Sequence, residues 1–559
     1  MANAPASESR RSNQRKGKQM QNSVKQSLAW AAVGLATTMS AHADVTLNGL
    51  FTDHMVLQRE IPVAVYGAAE AGEKVTVVFS GQEKSATAGK EGTWSVQLDA
   101  MNASTNAGVL AVTGKNKIEL KDIVIGDVWV CSGQSNMEWT LGNCKRPDDI
   151  KEANFPLIRQ FLVPAQVSSY PGTDVSFSPV KGTRSGWAVC TPQSAGQFTA
   201  VGFYFGRKIH QETGIPIGLI KSAWGGTQIE PWCSPNGLAS VPELAKDKEK
   251  LDKQVQEYRG KFKAILPRIE AYVAESRVAL ANGAELPLPV ELPHPISNRE
   301  PSGWHCLYNG MINPLIHFGI KGAIWYQGEN NGNEGDSYFQ KKRALIGGWR
   351  KAWNIGDFPF YFVQLANFAG YENQKPSEDP AGEPTGWGGL RMAQLKGLQI
   401  PNTGMSVSID LADVGNPGDI HPKNKKDAGE RLALWALAKD YGQKDLVYSG
   451  PLYREMQIEE GRIRITFDSV GSGLTAATKK GYDPMVKDPS GVLKRFAIAG
   501  EDKKWVWADA VIEGKTVVVS SPEVPKPVAV RYAFSRNPEG CNLYNNEGLP
   551  ASPFRTDEW

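Results

Sequence analysis

An apolar run that breaks abruptly into small and polar residues is the feature that most constrains the fold of this chain. Residues 123–131 are typical of a buried strand, and Ser132-Gly133-Gln134-Ser135 follows as a sharp turn that can open a helix. A serine at such a junction presents its hydroxyl at the edge of the sheet. The N–H groups after it lie at a helix N-terminus, where they can stabilise an oxyanion. The alternative is a Gly-Ser turn without chemistry, because short motifs are only hypotheses.

Three later apolar runs end in the same way. They are residues 215–220 before Trp224-Gly225-Gly226-Thr227, residues 321–326 before Gln327-Gly328-Glu329-Asn330, and residues 359–365 before Ala366-Asn367-Phe368. Helical stretches separate these runs. The pattern over residues 123–445 predicts an α/β fold, a doubly wound parallel sheet flanked by helices, with its site at the carboxyl ends of the strands.

Short alternating runs on both sides of this region predict two accessory all-β domains, over residues 44–122 and 446–559, that are sandwich-like or jelly-roll-like. The first could bind carbohydrate, but a supporting role is favoured because it enters the serine strand without a linker. Two insertions are predicted, at about residues 243–303 and 370–388. Within the first, Leu251, Val255, Tyr258, Phe262 and Ile265 share one face of an amphipathic helix, which is expected to pack on the body of the protein.

The first 43 residues have the pattern of an export signal. A basic region precedes an apolar run from Leu28 to about Met39, and Ala41-His42-Ala43 matches a signal-peptidase site. A periplasmic or secreted protein beginning at Asp44 is therefore expected. Removing the six Lys/Arg and one Glu of this segment from the 62 basic and 59 acidic residues changes the net charge from +3 to about −2. We expect neither a nucleic-acid partner nor a membrane partner, because no basic surface remains and no later apolar stretch is long enough to span a membrane.

All six cysteines lie beyond residue 43, at wide and irregular spacing without a C-x-x-C pair. A metal site is therefore not expected, and zero to three disulfides are compatible with the sequence.

One histidine stands out as the base that a nucleophilic serine requires. His421 follows Gly418-Asp419-Ile420 in a loop between a predicted strand and a helix that starts near Lys425. Asp419, two residues earlier, could orient the ring nitrogen that does not face the serine.

Four blocks occur in the order of a known superfamily: Gly133-Gln134-Ser135-Asn136-Met137, Trp224-Gly225-Gly226-Thr227, Trp325-Tyr326-Gln327-Gly328-Glu329 and Asp419-Ile420-His421-Pro422. Together they resemble the SGNH/GDSL hydrolases, in the branch of sialate O-acetylesterases and related carbohydrate acetylesterases (SASA-type). The resemblance extends from residues 51–58 to residues 553–557.

The resemblance implies a serine hydrolase that removes acetyl esters from sugar hydroxyls without a cofactor. Ser135 would be the nucleophile and His421 the general base. The oxyanion hole would consist of the N–H groups of Ser135 and of Gly225 or Gly226, with a side-chain amide from Gln327, which is favoured, or from Asn330. The superfamily usually places its acid three residues before the histidine, where this chain has Gly418. Asp419 therefore either completes a triad or leaves a Ser-His dyad.

The resemblance names sialic acid first as the substrate, and acetylated xylan or xyloglucan oligosaccharides are the alternative. A sialate site requires a cation for the substrate carboxylate, for which Arg343, Arg350 and Arg391 lie in the right region. A non-catalytic carbohydrate-binding protein, or a lipase or thioesterase, is also compatible with such a fold.

Overall fold

The computed structural model describes residues 44–175, 186–293, 301–371, 374–413 and 415–559. The predicted export signal lies outside the described residues. Residues 45–559 form one compact unit.

The amino-terminal part of this unit is built from short strands whose side chains alternate between core and solvent. In one of them Trp94, Val96 and Leu98 are buried while their neighbours are exposed, which is the period-two pattern of a half-buried strand. The strands are β1 (Thr46–Leu47), β2 (Val56–Gln58), β3 (Val63–Ala68), β4 (Lys74–Phe79), β5 (Gln82–Thr87), β6 (Thr93–Leu98) and β7 (Ser104–Thr113).

Strand β8 (Lys117–Gly133) belongs to both the amino-terminal part and the central sheet. Its first half pairs antiparallel with β7, and its second half is buried. The boundary predicted after residue 122 therefore falls inside a continuous strand. One hydrophobic core extends from the amino-terminal strands into the central sheet, so the amino-terminal strands support the sheet that carries Ser135.

The central sheet is completed by β9 (Phe155–Leu162), β10 (Trp187–Cys190), β11 (Ile217–Ala223), β12 (Gly322–Tyr326), β13 (Phe360–Gln364) and β14 (Thr403–Val407). Its order is β10-β9-β11-β8-β12-β13-β14, parallel except for the edge strand β10. Strands β9, β10 and β11 lie on one side of β8, and β12, β13 and β14 lie on the other. This makes β8 the topological switch point where ligands bind in such sheets. The predicted α/β fold is confirmed.

The helices are α1 (Ser135–Glu138), α2 (Pro147–Lys151), α3 (Ala200–Thr213), α4 (Pro235–Ala239), α5 (Ala245–Asn282), α6 (Asp336–Trp353), α7 (Trp387–Lys396) and α8 (Lys425–Lys439), with a π-helical turn at Tyr308–Ile312. Helix α5 is present where the amphipathic pattern predicts it. It packs on the main core at Leu251, near its amino-terminal end, although none of its 38 residues is fully buried.

The carboxy-terminal part forms a second hydrophobic core around Ile465, Val519 and Phe554. Its strands are β15 (Leu452–Glu459), β16 (Arg462–Asp468), β17 (Leu474–Thr478), β18 (Val486–Lys487), β19 (Phe496–Gly500), β20 (Trp505–Trp507), β21 (Asp509–Glu513), β22 (Thr516–Ser520), β23 (Pro527–Tyr532), β24 (Leu543–Asn545) and β25 (Phe554–Arg555). They form three antiparallel sheets, as the alternating sequence predicts. All six cysteines are free thiols, and only Cys541 is not fully buried.

Candidate active site

Ser135 lies at the junction between the carboxyl end of β8 and helix α1. Strand β8 ends at Gly133, whose φ of 137° favours glycine. A Cβ atom there would lie 2.1 Å from the carbonyl oxygen of Tyr326 on the adjacent strand. The chain can therefore turn this sharply only at a glycine, and the turn presents Ser135 at the edge of the sheet.

The structure brings His421 to Ser135 across 286 residues of sequence. The two side chains form a hydrogen bond of 2.8 Å between His421 Nε2 and Ser135 Oγ. The imidazole stacks on the indole of Trp139, with ring centroids 5.0 Å apart and planes 18° apart. Burial and the nearby positive charge of Lys425 lower the pKa of His421. The ring is therefore neutral at neutral pH and able to accept a proton.

Asp419 lies on the other side of the imidazole but engages it loosely. Its Oδ1 atom is 3.5 Å from His421 Nδ1, which is beyond the usual length of a strong charge-assisted hydrogen bond. The same oxygen accepts the backbone N–H of His421 at 2.9 Å, and Oδ2 lies 2.5 Å from Lys423 Nζ. Burial alone would raise the pKa of Asp419, but the hydrogen bonds from Lys423 and the His421 backbone outweigh it and lower the pKa. Asp419 is thus an anion shared between the loop backbone, a lysine and the ring.

The predicted oxyanion donors differ in whether their N–H groups are already engaged. Gly225 donates its N–H to the carboxylate of Glu138 at 2.7 Å. Gly225 itself lies close to the Cβ atom of Ser135. Within the described parts of the chain, the N–H groups of Ser135 and Gly226 have no backbone or side-chain acceptor. Gly226 has a φ of 71°, a conformation that glycine adopts without strain.

The two predicted amide donors also differ. Gln327 is fully buried, and its side-chain nitrogen donates to Thr227 O at 3.2 Å and to Asn331 Oδ1 at 2.7 Å. Its side-chain oxygen accepts from the hydroxyl of Tyr338. The exposed Asn330 donates to Gly226 O at 2.8 Å. The contacts of Gln327 thus direct its N–H groups to neighbours other than Ser135, while Asn330 lies against the Gly226 turn.

A buried network that sequence reasoning missed joins the serine turn to the histidine loop. The side chain of Asn136 donates to Glu329 and to Ile420 O, and it accepts from Lys425 Nζ at 2.5 Å. Burial lowers the pKa of Lys425 to about 7 and raises the pKa of Glu329. The signal was local: Asn136 follows Ser135 directly, and Lys425 lies four residues after His421.

The carboxy-terminal β part also contacts the histidine loop. Tyr482 donates its hydroxyl to Lys423 O, and Asn424 donates to Gly481 O at 2.7 Å. Lys479 Nζ lies 2.6 Å from Asp427 Oδ2 at the start of α8. No pattern in the sequence indicates these contacts, since they join segments about 60 residues apart.

The three arginines considered for a substrate carboxylate all have other partners. The fully buried Arg391 donates to four backbone carbonyls. Arg350 donates to Phe358 O and Asn402 O, and Arg343 pairs with Glu243. None of these contacts joins an arginine to Ser135 or His421.

The described residues show neither a metal cluster nor a membrane-spanning helix. Across the described residues, no group of three or more His, Cys, Asp or Glu side chains could hold a metal ion. None of the described helices is both long and apolar enough to cross a bilayer.

Known esterases are similar to this chain over most of its length. A family profile described as "Carbohydrate esterase, sialic acid-specific acetylesterase" matches residues 298–438. The rat sialate O-acetylesterase is 31% identical over 543 residues, which cover 90% of this chain and 92% of the rat protein. This chain belongs to the sialate O-acetylesterase family. The human member is 29% identical, over 89% of this chain and 90% of its own.

A solved structure agrees with this assignment. The crystal structure of a carbohydrate acetylesterase from Xanthomonas citri is 35% identical to this esterase and covers 92% of it, with 100% of that chain matched and a TM-score of 0.72. The predicted family is therefore confirmed. The protein is a carboxylic ester hydrolase, a carbohydrate O-acetylesterase.

Proposed function

We propose that Ser135 and His421 remove acetyl groups from carbohydrate hydroxyls by a two-step acyl transfer. The observation that carries this proposal is the 2.8 Å contact between His421 Nε2 and Ser135 Oγ at the switch point of the sheet. A nucleophile and a base within hydrogen-bond reach, with the base ring held in place, are the parts that such chemistry requires.

In the first step Ser135 Oγ bonds to the carbonyl carbon of the acetyl ester while its proton moves to His421 Nε2. The tetrahedral intermediate then collapses, and the sugar oxygen leaves with that proton. In the second step His421 takes a proton from water as the water oxygen bonds to the acetyl carbon. This second intermediate collapses, the bond from the acetyl carbon to Ser135 Oγ breaks as Oγ regains its proton from His421, and acetate leaves. No cofactor is needed for either step.

For the oxyanion we propose the N–H groups of Ser135 and Gly226, which have no acceptor among the described residues. Gly225 takes a supporting role in this proposal, because Glu138 already accepts its N–H. Asn330 contributes an amide beside the Gly226 turn. Gln327 supports the turn through its hydrogen bond to Thr227 O. Preorganised donors of this kind are worth about 3–4 kcal/mol each to an acyl-transfer transition state.

Asp419 acts in this proposal as an accessory to a Ser-His dyad rather than as a full triad acid. The 3.5 Å separation from His421 Nδ1 and the competing ion pair with Lys423 support this assignment. Trp139 takes over part of the orientation of the ring by stacking on it.

The substrate we propose is an O-acetylated sugar. The names of the relatives point to O-acetylated sialic acid. A specific observation favours a second candidate, acetylated neutral oligosaccharides such as those of xylan or xyloglucan. Arg343, Arg350 and Arg391, the predicted cations for a sialate carboxylate, are bound to other groups, and none of these contacts directs an arginine to Ser135 or His421.

The deciding experiment measures acetate release from O-acetylated sialic acid, acetylated xylan and acetylated xyloglucan oligosaccharides. Wild-type protein and Ser135→Ala are compared, and Ser135→Ala should lose at least about 10³-fold in kcat. Preference for the neutral oligosaccharides supports the second candidate. A parallel series of p-nitrophenyl esters should show activity that falls with acyl length. Activity that rises with length would contradict the proposal and indicate a lipase or thioesterase.

We also propose that the protein is exported, on the strength of the basic-then-apolar segment ending at Ala41-His42-Ala43. N-terminal sequencing of protein recovered outside the cytoplasm should begin at Asp44. Recovery of an intact amino terminus in the cytoplasm would contradict export.

A further inference from the structure

The carboxylate of Glu138 lies beside the proposed nucleophile, where a negative charge opposes the formation of an oxyanion. Glu138 is the last residue of helix α1, three residues after Ser135, and residues with this spacing share one face of a helix. Its Oε2 atom accepts the N–H of Gly225 at 2.7 Å. Because like charges repel, a carboxylate at this place is favourable only if it contributes something else to the site.

Glu138 and Ser135 both lie against the segment Trp224-Gly225-Gly226-Thr227, which we call the Gly-Gly turn. A Cβ atom on Gly225 would lie 3.1 Å from Glu138 Oε2 and 3.3 Å from the Cβ atom of Ser135. Glycine therefore allows the turn to approach the serine this closely. Within the described parts of the chain, the bond to Glu138 is the only hydrogen bond between the Gly-Gly turn and helix α1.

The Gly-Gly turn is anchored on both sides of its central peptide. On one side Glu138 accepts the N–H of Gly225, and on the other Asn330 donates to Gly226 O at 2.8 Å. Among the described residues, the peptide between Gly225 and Gly226 forms no hydrogen bond through its C=O or its N–H. The N–H of Gly226 is thus free for an oxyanion, while the peptides before and after it are held.

Two successive glycines make the shape of this turn depend on its anchors. Glycine adopts more backbone conformations than any other residue, and Gly226 has a φ of 71°. A shift of about 1 Å in a catalytic group can slow a reaction by about 10²-fold. The position of the free N–H relative to Ser135 is therefore set by the bonds on either side of it, and one of these is the bond to Glu138.

A buried lysine offsets part of the negative charge of Glu138. Lys221 on strand β11 is 6% exposed. Its burial lowers the pKa of the ammonium group, and the negative charge of Glu138 opposes this effect. A positive charge that interacts with the carboxylate reduces the net negative charge beside Ser135. Glu138 can then serve as a hydrogen-bond acceptor at a smaller electrostatic cost to the oxyanion.

We propose that Glu138 is a positioning residue, which holds the Gly-Gly turn against the serine helix so that the N–H of Gly226 stays in place for the oxyanion. Glu138 acts through its hydrogen bond to Gly225. The inference rests on the proposed function, in which Gly226 is an oxyanion donor. The opposite role has the opposite sign: if Gly225 were itself the donor, Glu138 would compete with the oxyanion, and its removal would speed the reaction.

The first test compares kcat and KM of Glu138→Ala and Glu138→Gln with p-nitrophenyl acetate. Alanine removes the acceptor, so kcat should fall by about 10²-fold with little change in KM, because the oxyanion forms only in the transition state. Glutamine keeps a side-chain oxygen that can accept the N–H of Gly225, so its kcat should stay within about threefold of wild type.

The matched control is Glu547→Ala in the carboxy-terminal β part. Glu547 also accepts a loop N–H, that of Ser472, at 2.9 Å, so this variant loses the same kind of hydrogen bond and should keep the wild-type kcat. Thermal unfolding of every variant checks that the fold is intact.

A second measurement reports on the oxyanion site itself. An alkyl boronic acid bound to Ser135 forms a tetrahedral anion that resembles the transition state. Its inhibition constant should rise in Glu138→Ala by the same factor by which kcat falls, and it should change little in Glu138→Gln. A general loss of folding would instead lower the amount of active enzyme without changing the inhibition constant.

The possible outcomes separate this inference from the proposed function. A wild-type kcat in Glu138→Ala would overturn the positioning role, and a higher kcat would show that the carboxylate competes with the oxyanion for Gly225. A Glu138→Gln variant as slow as Glu138→Ala would assign the effect to the charge and would also overturn it. Ser135→Ala, measured alongside, tests the mechanism separately: an active Ser135→Ala would overturn the proposed function, and the role of Glu138 with it.

Discussion

At the scale of single residues, the environment of His421, the proposed base, sets the pH range over which we expect the esterase to work. The imidazole is half-buried against Trp139, and both its burial and the charge of Lys425 lower its pKa. Asp419 acts in the opposite direction and raises the pKa of the ring. Because two lysines lie near the ring and only one carboxylate does, the neutral base form persists to lower pH than for an exposed histidine.

The first prediction concerns Lys425→Met. Removing this positive charge removes a cause that lowers the pKa of His421, so the pKa rises. Since only the neutral imidazole accepts the serine proton, the acid limb of the pH profile of kcat/KM should move to higher pH. The control is Lys426→Met, whose ammonium group pairs with Glu430 instead and should leave the limb in place. An acid limb that stays where it is in Lys425→Met would show that this charge does not reach the ring.

The second prediction concerns Asp419→Asn. A buried triad aspartate costs about 10⁴-fold in kcat when it is replaced by asparagine. At 3.5 Å, with Lys423 as a competing partner, we expect a loss of only about tenfold, measured as kcat for acetate release. A loss close to that of Ser135→Ala would mean that Asp419 closes on the ring once substrate is bound, as catalytic hydrogen bonds can do.

At the scale of elements, the loop that carries His421 is held from two sides. Asn136 in the serine turn binds Ile420 O, and the segment after β17 binds the loop at Lys423 and Asn424 through Tyr482 and Gly481. Connections between strands and helices are usually the most mobile parts of a fold. Here hydrogen bonds on both sides restrict the movement of His421, the proposed base, relative to Ser135, the proposed nucleophile.

The third prediction concerns Tyr482→Phe. The change keeps the ring, which stacks under Arg146, and removes the hydroxyl that donates to Lys423 O. A net hydrogen bond is worth about 1 kcal/mol, so we expect kcat to fall by about fivefold with little change in KM. The control is Tyr448→Phe, whose hydroxyl contacts Lys439 away from the loop. An equal effect in both variants would argue against a positioning role for Tyr482.

At the scale of the whole molecule, the carboxy-terminal β part is joined to the hydrolase sheet by buried polar groups. The Arg391 guanidinium donates to Leu365 O and Ala366 O on the hydrolase side, and to Ser535 O and Arg536 O on the other. Gln364 at the end of β13 donates to Ser552 at 2.9 Å. The two parts should therefore unfold together rather than as independent domains.

The fourth prediction concerns Arg391→Lys. A lysine cannot reproduce the planar set of donors, and each buried carbonyl left without a donor costs about 1–3 kcal/mol. We expect a destabilisation of at least about 2 kcal/mol, seen as a lower melting temperature in a single calorimetric transition. Arg343→Lys, at an exposed pair, should change the melting temperature little. A second, separate transition in the wild-type protein would contradict joint unfolding.

The sequence by itself determined the features that depend on neighbouring residues. Residues 123–135 indicated the strand, the glycine turn and the exposed serine, because a buried strand and a sharp turn leave a local signature. The position of His421 in a loop just before helix α8 could be predicted from the sequence for the same reason. The order of the four blocks also identified the family, since each block is a short run of adjacent residues.

Only the tertiary structure decided which groups meet. The sequence could not show that the N–H of Gly225 is taken by Glu138, that Gln327 donates to Thr227 and Asn331, or that Tyr482 reaches the histidine loop. It also did not show where α5 meets the body of the protein, which is at Leu251 near the amino-terminal end of the helix. These contacts join residues far apart in the chain. Helix and strand propensities and apolar periodicity depend only on neighbouring residues, so they cannot predict such pairs.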